Sequence, residues 1–328
     1  MSKYLSRHIK VIFLMMGNSC NMNCRYCMQH DLVSNPIAVT VNPDIIEFIK
    51  EVAKENKGVN VQFYGGEPLL YFKAIKEVVK ELEGADIRFS CLSNGKAVTD
   101  EIVKFFNDRK LPFGVSWDGK NVLETRRYDV FNKVDGLREK LMKFDYLGLS
   151  AVLTGKSYPN DIIDGFLDLD REYFSIHKYH LRFNTDLVFN TGSLPDDLSK
   201  IDYSEVERQM FHLMNWYLKK RTSSKPYPRD DELAKYVFVD LLVQKISDFY
   251  CSKGSDGKMH NVLSSCGNGY WVLNLDLDGN LYPCHNVSKP CGTIYDSFFA
   301  YLSKVVETDK VILRKDECSK CLAVALVS

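Results

Sequence analysis

The sequence predicts an α/β protein built on a parallel sheet, open, closed or wound into a partial barrel. Three observations carry that prediction. Short β-prone runs recur along the first half of the chain, segments with helical spacing stand between them, and most of the runs follow one another at intervals of roughly 25 to 35 residues. Such spacing leaves room for a right-handed helical crossover after each strand.

The strands are expected at "HIKVIFLMM" (8 to 16), "VNVQFY" (59 to 64), "DIRFSCL" (86 to 92), "PFGVSW" (112 to 117), "GLSAVL" (148 to 153) and "HLRFN" (180 to 184). After the first of these, Ile45, Ile46, Ile49, Val52 and Ala53 repeat at helical spacing behind Asn42 as a cap and Pro43 at the first helical position. Phe72, Ile75, Val78, Val79 and Leu82 read the same way. In such sheets the chemistry collects at the carboxyl ends of the strands. From about 196 the pattern changes to helices, at 203 to 221 and 231 to 250, joined by the turn-rich "TSSKPYPRD". A Gly/Ser-rich stretch over 251 to 269 then leads into "YWVLNLDLDGNLYPC", which alternates like a hairpin around Asp278-Gly279. "DLDGN" lacks the spaced acids and terminal glutamate of a calcium loop and is read as the hairpin turn.

Composition narrows the function. Lysine plus arginine number 43 and aspartate plus glutamate 43, so no net field draws this surface to nucleic acid or an anionic membrane. The first residues show no export signal and no run approaches a spanning helix, which predicts a soluble cytoplasmic protein. Ten cysteines in such a chain point to metal ligation or catalysis more than to disulfides.

Three of them crowd into "CNMNCRYC", Cys20, Cys24 and Cys27, in the loop after the first strand. A disulfide would use two, and a tetrahedral zinc site would need a fourth ligand from elsewhere. A four-iron cube held by three soft thiolates instead leaves one iron open to bind something else.

The C-x3-C-x2-C spacing, with Tyr26 before the last cysteine, resembles the signature of the radical S-adenosylmethionine (SAM) enzymes. There the open iron chelates the amino and carboxylate groups of SAM. Three further motifs stand where that resemblance implies them. "YGGEPLL" after the second strand is similar to the family's Gly-Gly-Glu element, in which Gly65 and Gly66 let backbone carbonyls approach the SAM ammonium and Glu67 supplies charge. A plain Gly-Gly turn before a helix begun by Pro68 is the bland alternative. "LSNGKAVT" resembles the Ser/Thr-Asn-Gly turn, placing Ser93 and Asn94 near ribose hydroxyls or substrate, or in an ordinary turn. "VSWDGKNVLETRR" resembles a segment in which Ser116, Asp118 and a later arginine surround SAM. A planar guanidinium suits the SAM carboxylate; Arg126 and Arg127 both compete for that place, with Arg127 favoured.

A second set, Cys266, then Cys284 in "GNLYPC", then Cys318 and Cys321 in "CSKC", resembles the SPASM and twitch extensions of the same family. The resemblance implies one fully ligated auxiliary 4Fe-4S cluster; a four-cysteine zinc site is the alternative. Ala325 stands near the place where two-cluster versions carry another cysteine, so the twitch type is expected. Cys251 and Cys291 are spare, and Cys91 belongs to a core strand.

The whole reading is a partial (β/α)6 barrel over 1 to 195, a helical connector over 196 to 250 and a small twitch-type iron-sulfur domain over 251 to 328. The family chemistry implied is one-electron reductive cleavage of SAM to methionine and a 5'-deoxyadenosyl radical that abstracts hydrogen from substrate. A flavodoxin- or ferredoxin-type protein would supply the electron. A peptide substrate, with cross-linking, epimerisation or oxidation as outcome, is the first expectation. Dehydrogenation of a small molecule is the second, and a non-catalytic zinc scaffold the third. Asn184 and Asp186, past the sixth strand, are candidate substrate contacts or belong to an ordinary surface loop, and no catalytic base is legible.

Overall fold

The structure, a computed structural model, describes residues 9–27, 39–132, 136–187, 194–222, 235, 239, 271–285, 289–297, 300, 301, 303 and 304. Among the described residues nine strands form one sheet. Six are the expected ones, β1 (Val11–Met15), β2 (Val59–Tyr64), β3 (Ile87–Ser93), β4 (Phe113–Ser116), β5 (Leu147–Leu153) and β6 (Arg182–Leu187), paired parallel in sequential order. With the helices between them they make an α/β partial barrel.

Alternation along the strands explains the two faces. In β2 the residues Val59, Val61 and Phe63 are fully buried, while Asn60, Gln62 and Tyr64 are half-exposed. The register sets Phe13 beside Gln62, Gln62 beside Ser90, and Ser116 beside Ser150, so a half-polar face runs across the sheet. The opposite face packs against α1 (Pro43–Glu55), α2 (Phe72–Glu81), α3 (Asp100–Asp108) and α6 (Pro159–His177), whose apolar residues join the strands in one core. Helix α1 starts as expected: Asn42 Oδ1 accepts the Asp44 N–H at 2.9 Å, and Ile45, Ile46, Ile49, Val52 and Ala53 are all buried. The run from Phe72 forms α2, ending one residue before Leu82.

The C-terminal region departs from the picture of a separate appendage. Strand β7 (Val272–Asp276) pairs parallel with β1, and β8 (Asn280–Tyr282) and β9 (Gly292–Thr293) follow antiparallel, so the hairpin continues the barrel's own sheet. Its turn is the "DLDGN" loop. Asp276 Oδ1 accepts the N–H groups of Asp278 and Asn280, and its Oδ2 accepts from the Tyr282 hydroxyl at 2.8 Å. That carboxylate is occupied by the hairpin itself. The connector supplies α7 (Asp196–Ser199) and α8 (Tyr203–Arg221). Nearly all of the second connector helix expected at 231 to 250, and Cys251, Cys266, Cys318 and Cys321, lie outside the described residues. Among the described residues no helix is long and apolar enough to cross a membrane.

Candidate active site

Cys20, Cys24 and Cys27 occupy the loop at the carboxyl end of β1 and are half-buried. Each lies within electrostatic reach of the other two. Burial pushes the Cys20 thiol up, and pushes Cys24 up to about 11 against the pull of the Arg126 guanidinium. Among the described residues no three His, Cys, Asp or Glu side chains are gathered tightly enough for a single metal ion. Three soft, mutually close thiols suit an iron-sulfur cluster held by three cysteines.

Two glycines explain how the loop is held. An added Cβ at Gly65 would stand 2.5 Å from the Gly17 carbonyl oxygen, and one at Gly66 would stand 2.5 Å from the Ser19 oxygen. Both oxygens accept hydrogen bonds from this turn, Gly17 from the Gly66 N–H at 2.9 Å and Ser19 from the Glu67 N–H at 2.8 Å. The space the glycines leave is thus filled by the backbone leading into the cysteines. Glu67 is fully buried, and its oxygens accept from Leu69 N–H, Ser93 Oγ and Asn94 N–H at 2.7 to 2.9 Å. Burial raises its pKa to about 7 despite those three donors. Instead of presenting a charge to a ligand, it ties the β2 loop to the Ser93-Asn94 turn at the end of β3. Asn94 in turn donates to Asn21 Oδ1 at 2.8 Å and to the Cys20 sulfur at 3.6 Å.

A second anchor stands past β4. Asp118 is fully buried; Arg126 Nη2 donates to its Oδ1 at 3.0 Å, and Nε stands 3.0 Å from Oδ2 without a straight hydrogen bond. Tyr26 and Thr125 hydroxyls and the Val152 N–H complete its partners. The Arg126 guanidinium also lies over the Tyr26 ring, 5.3 Å from its centroid. Burial is the largest single influence and opposes the arginine's charge, but Asp118 together with Tyr26 and Cys24 outweighs it and holds the guanidinium above its ordinary value. Burial likewise holds the Tyr26 phenol well above its own. These residues brace the cysteine loop from behind. Arg127 differs. It adopts a left-handed conformation at the end of α4 (Val122–Arg126) and is exposed, and both arginines, with Cys20, Asn21, Lys96 and Tyr128, line a cavity of about 510 Å³. Arg126 is only 7% exposed and its guanidinium is engaged by Asp118, whereas the exposed Arg127 lies at the cavity's open side.

Ser116 ends β4, half-exposed on the polar face, and Asn184 is exposed on β6 in register with Ser150. Asp186 lies two residues further along, opposite Val152. Several residues have no sequence motif of their own. Arg25, between the cysteines, donates to the Glu124 carbonyl and to both oxygens of Asp197 at 2.8 Å. His285, next to Cys284, stacks on Phe13 with centroids 4.5 Å apart and meets Tyr64 edge-on at 5.1 Å. That wedge places the half-buried Cys284 beside the barrel's polar face. Proximity to a cysteine ligand was the available signal for both. Cys91 is core, as expected.

Residues 14–119 match the family model of the Radical SAM superfamily. The radical SAM cyclopropyl synthase TigE of Paramaledivibacter caminithermalis is 28% identical over 185 residues, 48% of this chain but only 38% of that relative's length. The chain thus spans well under half of that protein. The cysteine-type anaerobic sulfatase-maturating enzyme of Clostridium perfringens is 24% identical over 339 aligned residues, 93% of this chain and 84% of the relative. A solved structure of anSMEcpe with bound AdoMet (SAM) superposes with a TM-score of 0.63 at 19% identity, over 97% of this chain and 84% of that one. Streptococcus suis SuiB gives 0.60 at 16% identity, over 98% and 72%. These structural likenesses speak for the fold. The class defined is that of the radical SAM enzymes, as the motifs implied. Within it, the chain sides with the SPASM/twitch subgroup to which the sulfatase-maturating enzymes belong. Membership implies a 4Fe-4S cluster and SAM.

Proposed function

We propose that this chain is a peptide-modifying radical SAM oxidoreductase, a maturase that cross-links, epimerises or oxidises its substrate. Cys20, Cys24 and Cys27 would hold the SAM-binding cluster, and Arg127 with Ser116 would orient the SAM carboxylate. When bound, the cluster and SAM supply a 5'-deoxyadenosyl radical for hydrogen abstraction. The chain's own part is mechanical and electrostatic. Glu67 and Asp118, each buried behind the cysteine loop, fix its ends, and Lys96 and Arg127 line the adjoining cavity with cations that suit an anionic group. Cys284 with Cys266, Cys318 and Cys321 would hold one auxiliary cluster, docked on the barrel by His285. A flavodoxin- or ferredoxin-type donor would supply electrons.

The observation that carries the reading is the trio of cysteines in the loop after β1, braced by two buried carboxylates. The peptide assignment is supported by relatives: maturase names recur, and one related structure holds anSMEcpe with AdoMet and Cp18Cys peptide. The test is anaerobic reconstitution with iron and sulfide, then incubation with dithionite and SAM. Wild type is expected to bind roughly eight irons, absorb near 400 nm and release 5'-deoxyadenosine. A Cys20, Cys24 and Cys27 triple alanine should release none. A colourless wild-type protein that binds only zinc would sink the proposal.

A further inference from the structure

Asn94 is held on all sides. Its backbone N–H donates to Glu67 Oε2 at 2.7 Å, and its side-chain Oδ1 accepts the Lys96 N–H at 2.9 Å. That second bond fixes which end of the amide is which, because a backbone N–H can only meet the oxygen. The NH2 group therefore faces the other way, toward Asn21 Oδ1 at 2.8 Å and the Cys20 sulfur at 3.6 Å. The Met22 N–H reaches the same sulfur at 3.4 Å. Asn94 itself is only 7% exposed, so its amide is held in the protein and not free to turn toward solvent. Cys24, by contrast, feels mainly burial and the charge of Arg126.

A cluster gains a negative charge on reduction, and part of that charge resides on its cysteine sulfurs. A donor aimed at one of them stabilises the reduced form more than the oxidised one and raises the potential. We propose that Asn94 sets the reduction potential of the cluster held by Cys20, Cys24 and Cys27 by donating its side-chain N–H to the Cys20 sulfur. It acts as a positioning and tuning residue, not one that touches substrate, and the inference rests on the cluster assignment above.

The test is a redox titration of reconstituted full-length protein, followed by electron paramagnetic resonance on the signal that changes when SAM is added. Asn94→Ala is expected to lose about tenfold in the reduction equilibrium, a downward shift of about 59 mV for one electron. Asn94→Asp keeps the shape and the Lys96 contact but places an anion where the donor was, and should shift further down. Asn21→Ala removes a neighbour of the amide without touching the sulfur and should leave the potential in place. Should the alanine variant fail to hold its cluster, the aspartate variant decides alone. Equal iron content with an unchanged potential in Asn94→Asp overturns the inference while leaving the cluster assignment intact. A wild-type protein that takes up no cluster at these cysteines overturns both.

Discussion

Glu67 and Asp118 occupy matching places, each fully buried in the loop beyond a barrel strand and each bracing the cysteine loop, yet they are satisfied in opposite ways. Asp118 faces a full guanidinium charge, with Tyr26, Thr125 and Val152 as added donors. Glu67 faces only neutral donors, from Leu69, Ser93 and Asn94. Burial therefore raises Glu67 to about 7, whereas the aspartate has a cation that shares its desolvation. The lesson is that depth alone does not set the behaviour of a buried acid; its partners do.

The largest effect should come from the ion pair. Asp118→Ala strands Arg126 in a site where it is only 7% exposed, and is expected to cost about 3 to 5 kcal/mol in urea unfolding. Adding Arg126→Met in the same chain should recover much of that loss. If the single variant costs no more than Glu67→Gln, the contrast between the two corners is broken.

A smaller effect separates the acids by pH. The folded Glu67 binds its proton more tightly than the unfolded chain does, with a pKa of about 7 against 4.5. Between those values the native state carries the extra proton, so stability from this group falls as pH rises and levels off above about 7. The span is on the order of 3 kcal/mol. Glu67→Gln should remove that slope, as read from the difference between wild-type and variant unfolding curves from pH 4.5 to 7.5. An unchanged slope would mean that Glu67 is ionised throughout, like an acid with a cation beside it.

The smallest effect should come from the exposed counterpart of the buried pair. Arg25 and Asp197 join the cysteine loop to α7, with side chains 22% and 40% exposed. A double-mutant cycle with Arg25→Ala and Asp197→Ala should give a coupling of about 0.2 to 1 kcal/mol, shrinking with added salt.

Much of this architecture was legible in the sequence. The six parallel strands could be read because apolar runs alternate with capped amphipathic helices, and the DLDGN turn because Asp-Gly suits a hairpin. The cysteine loop, the Gly-Gly-Glu turn and the Asp-Gly turn all fall at strand ends, where their spacing implied. What could not be read was which residues serve a ligand and which serve the loop. Glu67, Tyr26, Asp118 and Arg126 carry charge or hydroxyls in the sequence, but the structure turns Glu67 on Ser93 and Asn94, and Tyr26, Asp118 and Arg126 on one another. That division depends on depth and side-chain direction, which spacing does not encode. Arg126 and Arg127 show it most plainly: adjacent, identical in chemistry and both bordering the cavity, one is buried against Asp118 and the other is exposed. The pairing of β7 with β1 was also hidden, since contacts across so much chain leave no local pattern.

That pairing has a consequence for how the chain is made. Val11 lies in register with Val272, so one side of β1 has no sheet partner until more than four fifths of the polypeptide has been synthesised. A nascent chain lacking Val272–Asp276 carries a bare apolar strand edge directly before its thiols, open to pairing with a neighbouring chain. Late arrival of one short strand thus leaves that edge uncovered until Val272–Asp276 have emerged.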